Sequence, residues 1–144
     1  MLNKVIDDKE RPQIIESLLR QKLVGNNLAL ANEMADQIEW LQVDVGDILI
    51  EQGGIDKDVY LLFSGQADVV INGRVVSQCQ AGDHVGELAT LGATPYRSAH
   101  IIVTQGGHVA KLNGEKLERL ANIYPEIYRC IAQKLARLFA SMTQ

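Results

Sequence analysis

No stretch of this chain approaches the roughly 18 consecutive apolar residues that a membrane-spanning helix requires. The first twenty residues, MLNKVIDDKERPQIIESLLR, carry acids and lack the apolar core of a secretory signal. A soluble, cytoplasmic protein is therefore expected. Basic residues are outnumbered, 14 against 18 acidic, for a net charge of −4. Phosphate backbones are met by clustered Lys and Arg, so direct binding to nucleic acid is not expected. A local anion site needs only a few donors and stays open. Cysteine is scarce: Cys79 and Cys130 stand alone, with no C-x-x-C pair. Both read as buried or partly buried thiols rather than as a disulfide or a redox pair. Internal repeats and low-complexity linkers are absent, and 144 residues make one domain the expected organisation. That length suffices for a core without staples.

What is present falls into three blocks. Residues 1–41 read as N-terminal helices. Pro12 suits the first turn of a helix over 12–23, with Ile14, Ile15, Leu18 and Leu19 on one face. The GNN at 25–27 breaks it, and Asn27 can cap a second helix carrying Leu30, Met34, Ile38 and Leu41 at helical spacing. From 42 to 112 short β-type runs alternate with turn signals. LQVDV and DILI flank Gly46, VYLLF ends at Ser64-Gly65, and ADVVI ends at Asn72-Gly73, a strong hairpin signal. RVVSQC, SAHIIVT and HVAKL complete the series. Seven or eight such strands predict an antiparallel β-roll or jelly roll, giving an α+β, mainly β fold. Helical period returns over 113–144. GEKLERLANIY makes a short helix, and Pro125 opens a last one with Ile127, Ile131, Leu135, Leu138 and Met142 at steps of three and four. Neither Gly nor Pro stops this last helix, so it is expected to be truncated or to continue into something else.

One loop interrupts the strands: VGELATLGATPYRSA, residues 85–99. Gly86 permits a backbone conformation that a β-carbon resists. Glu87, Leu88 and Ala89 open about one helical turn, whose first amides have no internal acceptor and can cradle an anion. Arg97, ten residues after Glu87, can add a charge-assisted contact to a phosphate, and Ser98 a hydroxyl. A carboxylate beside a phosphate makes sense if Glu87 accepts from a sugar hydroxyl. The competing reading is a surface Glu87–Arg97 ion pair, worth about 0–1 kcal/mol.

GELATLGATPYRSA resembles the phosphate-binding cassette of the cyclic nucleotide-binding domain family. That family includes the bacterial catabolite activator protein, the regulatory subunits of cyclic-AMP-dependent protein kinase, and cyclic-nucleotide-gated channels. Gly86, Glu87, Leu88, Ala89, Arg97, Ser98 and Ala99 each fall on its pattern, with the activator's Glu-to-Arg interval. VGDILIEQGGIDKDVYLLFSGQADVVING is similar to the family's first strands, with Gly46, Gly53 and Gly65 at recurrent glycines. QAGDHVGE matches the approach to the cassette, although Val85 stands where many members have Phe. The likeness spans roughly residues 25–144.

The resemblance implies a β-roll that binds a 3′,5′-cyclic mononucleotide and needs no cofactor. Backbone amides and Arg97 would hold the phosphate, and Glu87 the ribose 2′-hydroxyl. Val69, Val76, Ser77, Val85 and Ala99 would border the base, although Val69 and Val76 read equally well as core valines. Leu138, Met142 and Thr143 of the last helix would close over it, and Leu138 replaces an arginine of the activator. That helix suits dimerisation or packing on the roll as well. The implied role is a non-enzymatic sensor that relays occupancy through its last helix to an effector: a DNA-binding domain, a channel, a kinase or a TIR-type hydrolase. The base is left open among adenine, guanine, uracil and cytosine. Two alternatives are a roll that binds nothing and mediates assembly, and a cupin-like metal enzyme using His84, Glu87, His100 and His108. Against the latter, no H-x-H occurs.

Overall fold

The computed structural model describes residues 2–4, 7–92 and 94–142. Its elements run β1 (Leu2–Lys4), α1 (Arg11–Leu19), α2 (Leu28–Ala35), β2 (Glu39–Val43), β3 (Ile48–Ile50), β4 (Val59–Leu62), β5 (Gln66–Ile71), β6 (Arg74–Gln80) and β7 (His84–Val85). They continue through α3 (Glu87–Thr90), β8 (His100–Gln105), β9 (Gly107–Leu112), α4 (Gly114–Ile123) and α5 (Glu126–Met142). Two antiparallel sheets result, ordered β1-β2-β9-β4-β7 and β3-β8-β5-β6. Strands β2 to β9 form the expected eight-stranded roll, so the fold is mainly β with flanking helices.

The strand run VYLL explains the layering. All four residues of β4 are buried. Tyr60 and Leu62 face the interior of the roll with Leu41, Val43, Ile50, Val85, Ile101 and Val109. Val59 and Leu61 point the other way, into a second core built with Leu18, Leu30, Met34, Leu117, Leu120, Ile127 and Ile131 from the four long helices. A strand covered on both faces needs apolar residues at every position, because period-two alternation leaves no side to water.

The Asn72-Gly73 signal forms its hairpin. Both residues have positive φ, 50° and 78°, as a two-residue turn between right-twisted strands requires. Ile71 then pairs with Arg74, and a bulge between Val69 and Val70 shifts the register further along the ladder.

The N-terminal block departs from expectation. Helix α1 ends at Leu19 rather than near 23. The chain turns through Gln21–Asn26, burying Leu23 and Val24, while the Gln21 side chain donates to Leu62 O at 2.7 Å. Asn27 does cap α2, accepting from Leu30 N at 3.1 Å. But α2 stops at Ala35, and Leu41 belongs to β2. Five consecutive pairs with β9, from Glu39–Lys111 to Val43–Gly107, outweigh the local helical spacing. Residues 2–4 form an edge strand on β2 where only helices were expected.

Leu61 is fully buried at the centre of the helix-facing core. Replacing it with Ala should lower unfolding free energy by about 2–5 kcal/mol, as read from denaturant midpoints at an unchanged m-value. A loss below about 1 kcal/mol would mean that the two-core layering is wrong.

Candidate functional site: a charged pocket under the last helix

Strand β7 is two residues long because Gly86 ends it. Gly86 has φ 99°, and a Cβ there would sit 2.6 Å from Asp58 O and 3.0 Å from an Arg97 nitrogen. Only glycine fits both the conformation and the close approach. The single turn of α3 follows, with no side chain capping its start. Thr90 closes the turn by donating to Lys57 O at 2.7 Å.

Arg97 is 3% exposed. Its Nη1 donates to Gly86 O at 2.8 Å; its Nη2 donates to Asp56 Oδ2 at 2.8 Å and to Asp58 O at 2.5 Å. Asp56 is held below the usual carboxylate range, chiefly by the hydrogen bond from Arg97. The backbone adds a clamp, with Arg97 N donating to Gly54 O and Gly53 N to Arg97 O, each at 2.8 Å. Nε is buried and has no hydrogen-bond partner among the described residues.

Glu87 is 2% exposed. Its Oε1 accepts from Lys134 Nζ of α5 at 2.8 Å. Its Oε2 lies 3.2 Å from His84 Nδ1, but the two are not aligned as a hydrogen bond, so both buried atoms stay without one. Burial pushes the Glu87 carboxyl up, yet His84 and Lys134 together outweigh it and bring the pKa down to about 2. His84 is itself buried, with Cys130 Sγ 3.8 Å from Nε2.

Glu87 and Arg97 are thus neither on the surface nor each other's partners, which overturns the surface ion-pair reading. The cysteines are free thiols, Cys79 buried and Cys130 partly so. Burial pushes Cys79 up to about 11, which leaves it an unreactive thiol at neutral pH. Among the described residues no three His, Cys, Asp or Glu side chains gather as a metal site. Nor is any helix long and apolar enough to cross a membrane.

A cavity of about 720 Å³ lies against these groups. Its wall contains Gly86, Glu87, Leu88, Ala89, Arg97 and Ser98. Val69, Val76, Ser77, Val85 and Ala99 border the same space, and Leu138 and Met142 border it from α5. Thr143 lies outside the described residues. Val76 is 53% exposed and is no core residue, whereas Val69 also packs against the roll's core. His84 sits in strand β7.

Sequence reasoning missed Asp56, His84 as the neighbour of Glu87, and Lys134. Lys134 had a signal: it falls three residues after Ile131 and four before Leu138, a cation inside an apolar stripe. Asp56 had none, because its approach to Arg97 is made by the fold alone.

Residues 40–124 match the family model described as the cyclic nucleotide-binding domain. The chain belongs to that family. A Pycsar effector protein, BcPycTIR of Burkholderia cepacia, is 36% identical over 130 residues, 90% of this chain and 43% of the relative. PaPycTIR of Pseudomonas aeruginosa is 33% identical over 136 residues, covering 92% and 44%. A cAMP-dependent protein kinase regulatory subunit from Aspergillus niger is 34% identical over 99 residues, covering 67% and 24%. The chain therefore spans less than half the length of these relatives. Among solved structures, cAMP-bound PfPKA-R superposes with a TM-score of 0.79 at 21% identity, over 94% of this chain and 48% of that one. The Toxoplasma gondii PKA regulatory domain with cAMP gives 0.76 at 24%, over 90% and 51%. At such identities the likeness concerns the fold.

A carboxyl whose folded pKa is depressed contributes stability above its unfolded value and loses it as pH falls through the folded one. For Glu87 that window runs from about 4.5 down to about 2. The stability gap between the unaltered protein and Glu87→Gln should be widest above pH 5 and close toward pH 2, as followed by denaturant melts. A gap constant across that range would contradict the buried ion pair.

Proposed function

We propose that this domain is a cyclic mononucleotide sensor. One observation carries the reading: a buried guanidinium nitrogen with no hydrogen-bond partner, and a buried carboxylate oxygen that lies 3.2 Å from His84 Nδ1 without an aligned hydrogen bond to it, share one cavity wall. Arg97 Nε is the donor, and it serves the cyclic phosphate together with the first amides of α3. Glu87 Oε2 is the acceptor, and it takes the ribose 2′-hydroxyl. Buried polar atoms are normally satisfied, so an anion and a hydroxyl arriving together resolve both at once.

The base occupies the apolar side of the cavity, between Val69, Val76, Ser77, Val85 and Ala99 on the roll and Leu138 and Met142 on α5. Binding is the output rather than chemistry, and α5 carries it onward. The effector is most simply a TIR-type domain, as the names of the two bacterial relatives suggest. The exposed apolar side of α5, with Phe139 and Met142, suits self-association through that helix.

A thermal-shift panel of cyclic AMP, GMP, UMP and CMP tests the reading, because a ligand that binds only the folded state raises the melting temperature. At least one should raise it, and Arg97→Ala should lose that shift. A charge-assisted hydrogen bond is worth about 1.5–3 kcal/mol, so its affinity should fall roughly ten- to a hundred-fold. The variant's own melting curve reports whether it folds. No shift with any of the four, or an unchanged shift in Arg97→Ala, would refute the proposal.

Glu87→Gln keeps the shape and removes the charge. It should discriminate less than the unaltered protein between a cyclic ribonucleotide and its 2′-deoxy analogue, measured by titration calorimetry. Equal discrimination would remove Glu87 from the sugar.

A further inference from the structure

We infer that Lys134 is a positioning residue of the sugar subsite, and that through it ribose recognition governs how firmly α5 is held on the roll. This rests on the sensor reading above.

The geometry divides the Glu87 carboxylate into two roles. Lys134 Nζ donates to Oε1 at 2.8 Å and to His84 O at 2.5 Å. The second bond anchors the ammonium to the roll's backbone, so it cannot follow the carboxylate if that rotates. Oε1 is therefore fixed, and Oε2, which has only an unaligned approach from His84 Nδ1 at 3.2 Å, is the oxygen that can accept from a hydroxyl. A free carboxylate would swing about its last torsion, which is broad and two-fold. Held at one oxygen, it presents the other in one place. The ammonium also keeps the group ionised despite its burial, and an ionised acceptor makes the stronger hydrogen bond.

Lys134 occupies a particular point on α5. Before it, Ile127 and Ile131 are buried in the helix-facing core. After it, Leu135, Leu138, Phe139 and Met142 are 40%, 42%, 70% and 82% exposed. The first half of the helix is held by apolar packing. The second half leaves that core, and Lys134 ties it to the roll at the boundary. The tie is made to the carboxylate that the sugar would meet, so whatever settles Glu87 also settles α5. A two-state element biased by ligand contacts needs such a shared group.

The test compares the unaltered chain with Lys134→Met and Lys134→Arg. Each is titrated with the cyclic nucleotide selected by the panel and with its 2′-deoxy analogue. Amide hydrogen exchange is followed over residues 134–142. In the unaltered protein the ribose form should bind at least several-fold tighter and should slow exchange in that segment. Lys134→Met should bring the two affinities within about two-fold of each other and abolish the slowing, while still binding both through Arg97. Lys134→Arg, which keeps a donor to Oε1, should restore a measurable part of the discrimination. A residue that only stabilised the helix would weaken both ligands equally and leave their ratio unchanged. That result overturns the inference while leaving the sensor reading intact. Absence of binding by the unaltered protein overturns both.

Discussion

Two opposite charges, Glu87 and Arg97, are kept almost entirely out of water in the wall of one cavity, and the rest of the structure is arranged to make that tolerable. An unpaired buried charge costs several kcal/mol. Arg97 is accommodated by Asp56 and two backbone carbonyls, and Glu87 by Lys134 and the neighbouring His84. Those partners come from distant parts of the chain: the loop before β4, the end of β7, and α5. Gly86 sits between them, in a conformation and at a distance from Asp58 that exclude any side chain. The pocket can therefore exist only when the roll has closed and the last helix has docked.

The roll itself supplies rigidity. Its two cores share β4, which buries alternate residues on opposite sides. One core holds the sheets together and the other holds the helices against the outer sheet. The cassette emerges between β7 and β8, and α5 packs across the same region from the helix side. A fixed β-structure thus meets a helix whose far half is largely exposed.

Much of this was legible in the sequence because the informative residues act locally. Asn72-Gly73 specifies its own turn, Asn27 caps its own helix, and Gly86 with Glu87 and Arg97 falls within a single loop. The failures share a different cause. The stripe Leu30, Met34, Ile38, Leu41 fits a helix, yet Leu41 is drawn into pairing with β9, about seventy residues away in sequence. Strand β1 exists only by virtue of its neighbour β2. Asp56 reaches Arg97 and Lys134 reaches Glu87 across 41 and 47 residues, distances at which no period or motif speaks. The charged residues of the pocket could be read, but the groups that make their burial affordable could not.

The most direct test is a crystal structure of the domain with the cyclic nucleotide it binds. The account predicts the phosphate within hydrogen-bond distance of Arg97 Nε and the α3 amides, with the ribose 2′-oxygen against Glu87. A ligand seated elsewhere, or one that leaves Arg97 bonded only to Gly86, Asp56 and Asp58, would contradict it.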